Sequence, residues 1–119
     1  MEKINEELCT LRYLSKIFGG KWKMPIICIL SSQEPKRYSV IKRKLKDVTD
    51  VMLAQSLKEL EISGLIERKQ YNEVPPRVEY SLTQKGKSTL TFLSVAAEWA
   101  ANDMKKNSVC QFCDKCASI

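Results

Sequence analysis

Five cysteines and no histidine set the reactive chemistry open to this chain. Cys110, Cys113 and Cys116 follow one another at Cys-x-x-Cys-x-x-Cys spacing near the C-terminus, while Cys9 and Cys28 stand far from them in sequence. Three thiolates so spaced can wrap one metal ion or supply three ligands of an iron-sulfur cluster, but a closed tetrahedral site needs a fourth ligand. Cys9 of the same or a second subunit, Asp114 or an exogenous group could complete it. The same thiols could instead serve as a redox switch, with Cys9 pairing to Cys110, Cys113 or Cys116, or be incidental, and the spacing alone leaves the three readings open. No cofactor is therefore assigned, with zinc or an iron-sulfur cluster as the alternative.

Without histidine there is no Ser-His-Asp or Cys-His arrangement, no two-His zinc site and no imidazole general base. Most hydrolase chemistries are excluded. A thiol oxidoreductase would need its Cys-x-x-Cys pair in a βαβ setting, which is missing here, so the chain is not read as an enzyme. Cys9 lies in an amphipathic segment with Arg12 and Lys16 close along it. Cations favour the thiolate, the form that reacts, which makes Cys9 a candidate redox sensor, whereas Cys28 in the apolar run IICIL reads as core.

A second kind of chemistry comes from charge. The 119 residues carry 20 Lys and Arg against 14 Asp and Glu, a net charge of +6. Lys36, Arg37, Lys42, Arg43, Lys44 and Lys46 place six cations in eleven residues with no acid among them, which equals the whole net charge. Such a block suits an anionic partner, with phosphate contacts as its specific use and a solvated face as its ordinary one. The hydrophobic content of 44% and charged content of 29% are those of a folding globular chain. The start MEKINEELC has no signal-peptide pattern and the longest apolar run is the interrupted MPIICIL, so a cytoplasmic protein with no membrane partner is expected.

The elements that would position these groups follow from periodicity. Leu8, Leu11, Leu14 and Ile17 mark a first helix ended by Gly19-Gly20, and a second, buried helix opens at Pro25. Ser39 caps a short helix over VIKRKLK, and Thr49 caps a longer one over DVMLAQSLKELEIS that closes at Gly64. Residues 65–71 and 78–82 read as two strands of a hairpin with Pro75-Pro76 at its tip. Thr83 then caps one long helix reaching Met104 or Lys105, with Leu90, Leu93, Ala97, Ala100 and Met104 on one seam and Phe92, Ala96 and Trp99 on another. That apolar face is wider than one small core needs, which suits a second copy of the chain; the alternative is that Phe92 and Trp99 fold back on the first helix.

Helix, helix, helix-turn-helix, hairpin and long helix is the order of a winged helix-turn-helix. On the second helix of the pair Leu53, Leu57 and Leu60 share one side and Val51, Gln55 and Lys58 the other. The second side is free to enter a major groove: Gln55 can bond an adenine edge twice, Lys58 can donate to guanine or phosphate, and Val51 can touch a thymine methyl. Arg77, at the base of the hairpin tip, would reach a minor groove or backbone, with Arg68 and Lys69 weaker candidates of which one faces away. The DNA-facing set is thus Arg37, Lys42, Arg43, Lys44, Thr49, Gln55, Ser56, Lys58 and Arg77.

Several motifs stand together: Cys9-x-Leu11-x-x-Leu14, Phe18-Gly-Gly-Lys-Trp-Lys23, Arg37-Tyr38-Ser39, Met52-Leu53-x-x-x-Leu57-Lys-Glu-Leu60-x-x-x-Gly64-Leu-Ile-x-Arg68, Pro75-Pro76-x-Val78-Glu-Tyr80-x-Leu82-Thr83-x-x-Gly86 and Trp99. In this the chain resembles the HxlR-type family of bacterial winged helix-turn-helix transcriptional regulators, over roughly residues 9–99. The resemblance implies a homodimer joined through its first and last helices, bound to a palindromic double-stranded DNA operator with two recognition helices about one helical turn apart. It also implies sensing of oxidants or electrophiles through the N-terminal cysteine, here Cys9. One departure is the helix start Thr49-Asp50-Val51, where relatives often carry a basic or amide residue; Asp50 suits a helix N-terminus but repels a phosphate.

The expectation is therefore a mainly α protein with a small antiparallel β-hairpin: a winged helix-turn-helix with its dimerisation helices over residues 1–105 and a Cys-rich tail over 106–119. Its expected function is sequence-specific transcriptional regulation, responsive to redox through Cys9. The alternatives are a winged-helix adaptor whose basic face docks an acidic protein, or a metal-responsive regulator using the C-terminal cysteines.

Overall fold

The computed structural model describes residues 9–104. The helix α1 (Thr10–Phe18) leads through Gly19-Gly20 into α2 (Lys23–Ile29), and a single 3-10 turn (Leu30–Ser32) carries the chain to a two-residue strand β1 (Lys36–Arg37). The pair α3 (Tyr38–Leu45) and α4 (Asp50–Ile62) follows, then the hairpin β2 (Ile66–Tyr71) and β3 (Arg77–Leu82), then α5 (Gln84–Ser88) and α6 (Leu90–Met104).

The core gathers where α2, α3, α4 and the root of the hairpin meet. Ile26, Ile27, Leu30, Ile41, Leu53, Leu57, Leu60, Leu65 and Ile66 are essentially removed from water, which is the main drive for packing these short elements together. Thr49 caps α4 as expected, its Oγ1 accepting from the Met52 N–H at 3.2 Å. Gly64 takes the left-handed conformation, φ +82°, that lets the chain leave that helix and start β2.

Several expectations are corrected. The hairpin is part of a three-stranded antiparallel sheet of order β1-β3-β2, with Lys36 opposite Tyr80 and Arg37 opposite Glu79. Two basic residues are too short a segment to show a strand period. For the same reason α3 begins at Tyr38 with Arg37 as its cap position, not at a Ser39 cap: the chain passes directly from the strand into the helix. The second helix begins at Lys23, two residues before Pro25, which remains within the first turn where its missing N–H costs nothing.

Thr83 does cap a helix, accepting from the Gly86 N–H at 3.0 Å, but that helix is only α5. The Thr89 N–H bonds back to the Gly86 carbonyl at 3.1 Å and its hydroxyl donates to the same oxygen at 2.7 Å, which turns the chain before α6. Gly86 packs so closely on the entry to β2 that a Cβ there would collide with the Leu65 carbonyl oxygen.

The outer helices are incompletely covered. Ile17 and Phe18 of α1 are buried, and Phe18 meets Phe92 of α6 at 6.0 Å between ring centroids, whereas Leu11 is 72% exposed. On α6 Leu93 and Ala101 turn inward while Val95, Trp99 and Met104 stay in water, Trp99 at 70% exposure. Phe92 thus does fold back on the first helix, and Trp99 does not. Leu8 of the expected first seam lies outside the described residues.

Because no side chain fits between α5 and the Leu65 carbonyl, Gly86→Ala should destabilise the domain by about 1–3 kcal/mol, the usual cost of overpacking. Chemical denaturation would read this as a lowered midpoint, and an unchanged midpoint would show that α5 can move away freely.

Candidate nucleic-acid interface

The rotation of α4 about its own axis is set by two contacts of different kinds. Leu53, Leu57 and Leu60 bury one side. On a neighbouring side the Lys23 ammonium reaches from the start of α2 to Glu59 Oε1 at 2.7 Å, with the Lys23 side chain only 9% exposed. Glu59 Oε2 in turn accepts from Gln55 Nε2 at 3.1 Å. An ammonium taken out of water must be paired, so Lys23 holds Glu59, and with it α4, at a defined angle to α2. The ammonium and the Gln55 amide both stabilise the Glu59 carboxylate, holding its pKa below the ordinary value.

Val51, Gln55 and Lys58 are exposed on the far side from the leucines, as the helical wheel requires. The bond to Glu59 uses one of two Gln55 amide hydrogens, leaving one N–H and the carbonyl oxygen, the combination an adenine edge accepts. Ser56 is half-buried, and the Thr49 hydroxyl serves the helix cap.

Of the basic block, Arg37, Arg43, Lys44 and Lys46 are exposed. Lys42 is instead committed to an ion pair, its Nζ 2.9 Å from Asp50 Oδ1. The Tyr38 hydroxyl donates to the same oxygen at 3.0 Å, and the two donors, Lys42 first, lower the Asp50 pKa. Tyr38 is pushed the other way by partial burial and by its bond to Asp50. The acid that opens α4 is thus neutralised within the protein, which removes the expected repulsion of a nearby phosphate.

Arg77 is likewise engaged. Its guanidinium lies 3.2 Å from Glu73 and 3.6 Å from Glu79, and stacks over the Tyr71 ring at 4.1 Å from the centroid. The second distance is an ion pair too long for a hydrogen bond, and Nε has no hydrogen-bond partner. Two carboxylates and a ring make Arg77 a brace of the wing. Strand register puts Arg68 opposite Tyr80, on the side of the sheet that carries the buried Ile66 and Leu82, and Lys69 opposite Glu79 on the other. Lys23 and Glu59 were not singled out by sequence reasoning, since a lysine meant for the interior carries no periodic mark.

Cys9 is exposed at the cap position of α1, its carbonyl accepting from the Tyr13 N–H at 3.0 Å, and Cys28 is half-buried on α2. The expected ligands Cys110, Cys113 and Cys116 lie outside the described residues, among which no cluster of three Cys, Asp or Glu could hold a metal ion. No helix among the described residues is long and apolar enough to cross a membrane.

A helix pair whose second member exposes a polar face beside a basic first member, followed by a sheet hairpin, is a winged helix-turn-helix, the fold of a non-enzymatic class of transcriptional regulators. A family model described as HxlR-like helix-turn-helix matches residues 17–108, and the chain belongs to that family. An uncharacterised HTH-type transcriptional regulator of Methanothermobacter thermautotrophicus is 46% identical over 95 residues, 80% of this chain and 72% of its own length. YkvN of Bacillus subtilis, also an HTH-type transcriptional regulator, is 44% identical over 91 residues, 76% of each. Among solved structures, the redox regulator HypR in its oxidised form superposes with a TM-score of 0.73 at 33% identity, covering 79% of this chain and 96% of that one. The reduced form of the transcriptional regulator YodB from B. subtilis gives 0.70 at 31% identity, over 79% and 91%. The chain is thus a transcriptional regulator with a helix-turn-helix domain.

The lowered carboxyl pKa values carry a sign. A depressed folded-state pKa contributes stability above the ordinary carboxylate range, near pH 4, and that contribution is lost as pH falls through the depressed value. Both carboxylates are open to solvent, so the effect is modest. On acidification below about pH 4, Glu59→Gln should therefore lose less stability than the unsubstituted protein in urea titrations, and equal losses would contradict the assignment of the Lys23 partner.

Proposed function

We propose that the chain is a cytoplasmic, homodimeric repressor or activator that reads a two-fold symmetric DNA operator and changes its affinity when Cys9 is oxidised or alkylated. The observation that carries the reading is the outward face of α4, Val51, Gln55 and Lys58, exposed beside a basic α3 while the opposite leucines are buried. In this reading α4 enters the major groove and Gln55 contacts a base edge. Arg37, Arg43 and Lys44 contact the flanking phosphates, and Lys42 adds the donors that its bond to Asp50 leaves over. Arg77 holds the shape of the wing that approaches the neighbouring groove.

Dimerisation is supported by the apolar side chains left exposed on the outer helices, Leu11 of α1 with Val95 and Trp99 of α6. Large apolar side chains left in water on a small domain suit a self-complementary two-fold contact. Cys9 is exposed at the start of α1, two residues before Leu11, where a bulky or charged adduct would alter how two subunits meet. The distance between two recognition helices must match the helical repeat of DNA, so a small change at that contact changes affinity. The likeness to a named redox regulator favours the same kind of input.

Gel shifts with the DNA on either side of its own gene, using reduced and diamide-treated protein, test the proposal. We expect a salt-sensitive, sequence-selective complex whose stability depends on the treatment, and a Cys9→Ser protein that binds but no longer responds. Failure of both forms to bind selectively would overturn the DNA reading, and a full response in Cys9→Ser would remove Cys9 as the sensor.

A further inference from the structure

Between α4 and the helix-facing side of β2 and β3 lies a cleft of about 380 Å³, lined by Tyr38, Ala54, Lys58, Glu61, Arg68 and Tyr80. Its two cations differ from Lys42 and Arg77, which the protein already holds in ion pairs. Lys42 and Arg77 each have a carboxylate partner, whereas Arg68 and Lys58 have no ion pair among the described residues, although Glu61 lines the same cleft. Arg68 occupies a strand position whose neighbours along the same face, Ile66 and the facing Tyr80 and Leu82, are buried. Arg68 itself is exposed and has no ion pair among the described residues, so its donors are open to a ligand. Tyr80 is buried as a ring, lines the cleft, and its hydroxyl has no hydrogen-bond partner among the described residues.

The topology says what runs through this space when α4 lies in a major groove and the wing reaches the adjacent minor groove. Those two grooves are separated by one sugar-phosphate strand, and that strand must cross the gap between α4 and the wing. We propose that the cleft is a binding site for one backbone phosphodiester of the operator, held by the Arg68 guanidinium and the Lys58 ammonium, with the Tyr80 hydroxyl as a neutral third donor. A guanidinium presents its donors in a planar fork that matches two phosphate oxygens, and the two cations exceed the single charge of Glu61. Arg68 thereby takes the role that sequence position suggested for Arg77. The inference rests on the DNA-binding reading above and locates a contact within it that carries no sequence information.

The test uses the full chain and a duplex that it selects from a random library, labelled for fluorescence anisotropy. Binding is followed against salt concentration for the unsubstituted protein, Arg68→Ala, Arg68→Lys and Tyr80→Phe, and against duplexes with a neutral methylphosphonate at each backbone position in turn. Loss of the Arg68 contact, with Lys58 still facing the phosphate, should make the log-log salt slope of Arg68→Ala shallower by up to about 0.9 per subunit and weaken binding on the order of tenfold, equally for all sequences. Arg68→Lys keeps the charge and should restore the slope, and Tyr80→Phe should weaken binding with the slope unchanged. One symmetry-related pair of methylphosphonates should weaken the unsubstituted protein clearly more than Arg68→Ala, in which only Lys58 still meets that phosphate as a cation. An unaltered slope and methylphosphonate profile in Arg68→Ala, with selective binding intact, would overturn this site alone. Absence of selective, salt-dependent binding by the unsubstituted protein would overturn the DNA reading and this site with it.

Discussion

The ammonium of Lys23, buried beneath α4 and held by Glu59, is the contact on which the functional surface depends. Three leucines are enough to press α4 against the core, but apolar packing is non-directional and tolerates rotation of a helix by a fraction of a turn. A buried charge does not. Any rotation that parts Lys23 from Glu59 leaves an ammonium unpaired out of water, so the pair acts as a registry pin. Because Gln55 bonds to the other oxygen of the same carboxylate, the pin extends from the core to the exposed face in one chain of contacts, α2 to Glu59 to Gln55. The glycines ahead of Lys23 let α2 begin where its first side chain points inward, with Gly20 at φ +100°.

The second constraint is electrostatic. A DNA-facing surface needs cations in excess and acids silenced, and this chain places an aspartate at the first position of its exposed helix. That acid favours the positive end of the helix dipole and, with Lys42 and Tyr38 as donors, ties α3 to α4 across the turn. The cost is one cation of the six in the basic block, leaving Arg37, Arg43, Lys44 and Lys46 outward and Lys36 half-buried. In the wing the same trade recurs: Arg77 is used to brace Tyr71, Glu73 and Glu79.

What could be read from the chain and what could not follow from how local the signals are. The Thr49 cap, the Gly64 exit and the leucine face of α4 are encoded within a few residues of one another, and the structure places each as expected. The helix break at Thr89 sits where Gly86 packs on the Leu65 carbonyl of another segment, and the apolar seam begins only after it, at Leu90. The inward course of Lys23, the engagement of Lys42 and the capture of Arg77 arise from partners 36, 8 and 4 residues away, and a lysine or arginine looks the same in sequence whether paired or open. The strand β1 is invisible for a simpler reason, being two basic residues that borrow their conformation from β3.

In the proposed complex the Lys23–Glu59 pair orients α4 so that its Gln55 face meets DNA. The most direct measurement is selection of duplexes from a random library by the unsubstituted protein and by Gln55→Ala, followed by sequencing. A two-fold symmetric operator is expected, in which Gln55→Ala relaxes the preference at one symmetry-related pair of positions and leaves the others intact. Identical operators from the two proteins, or no enrichment by either, would contradict it.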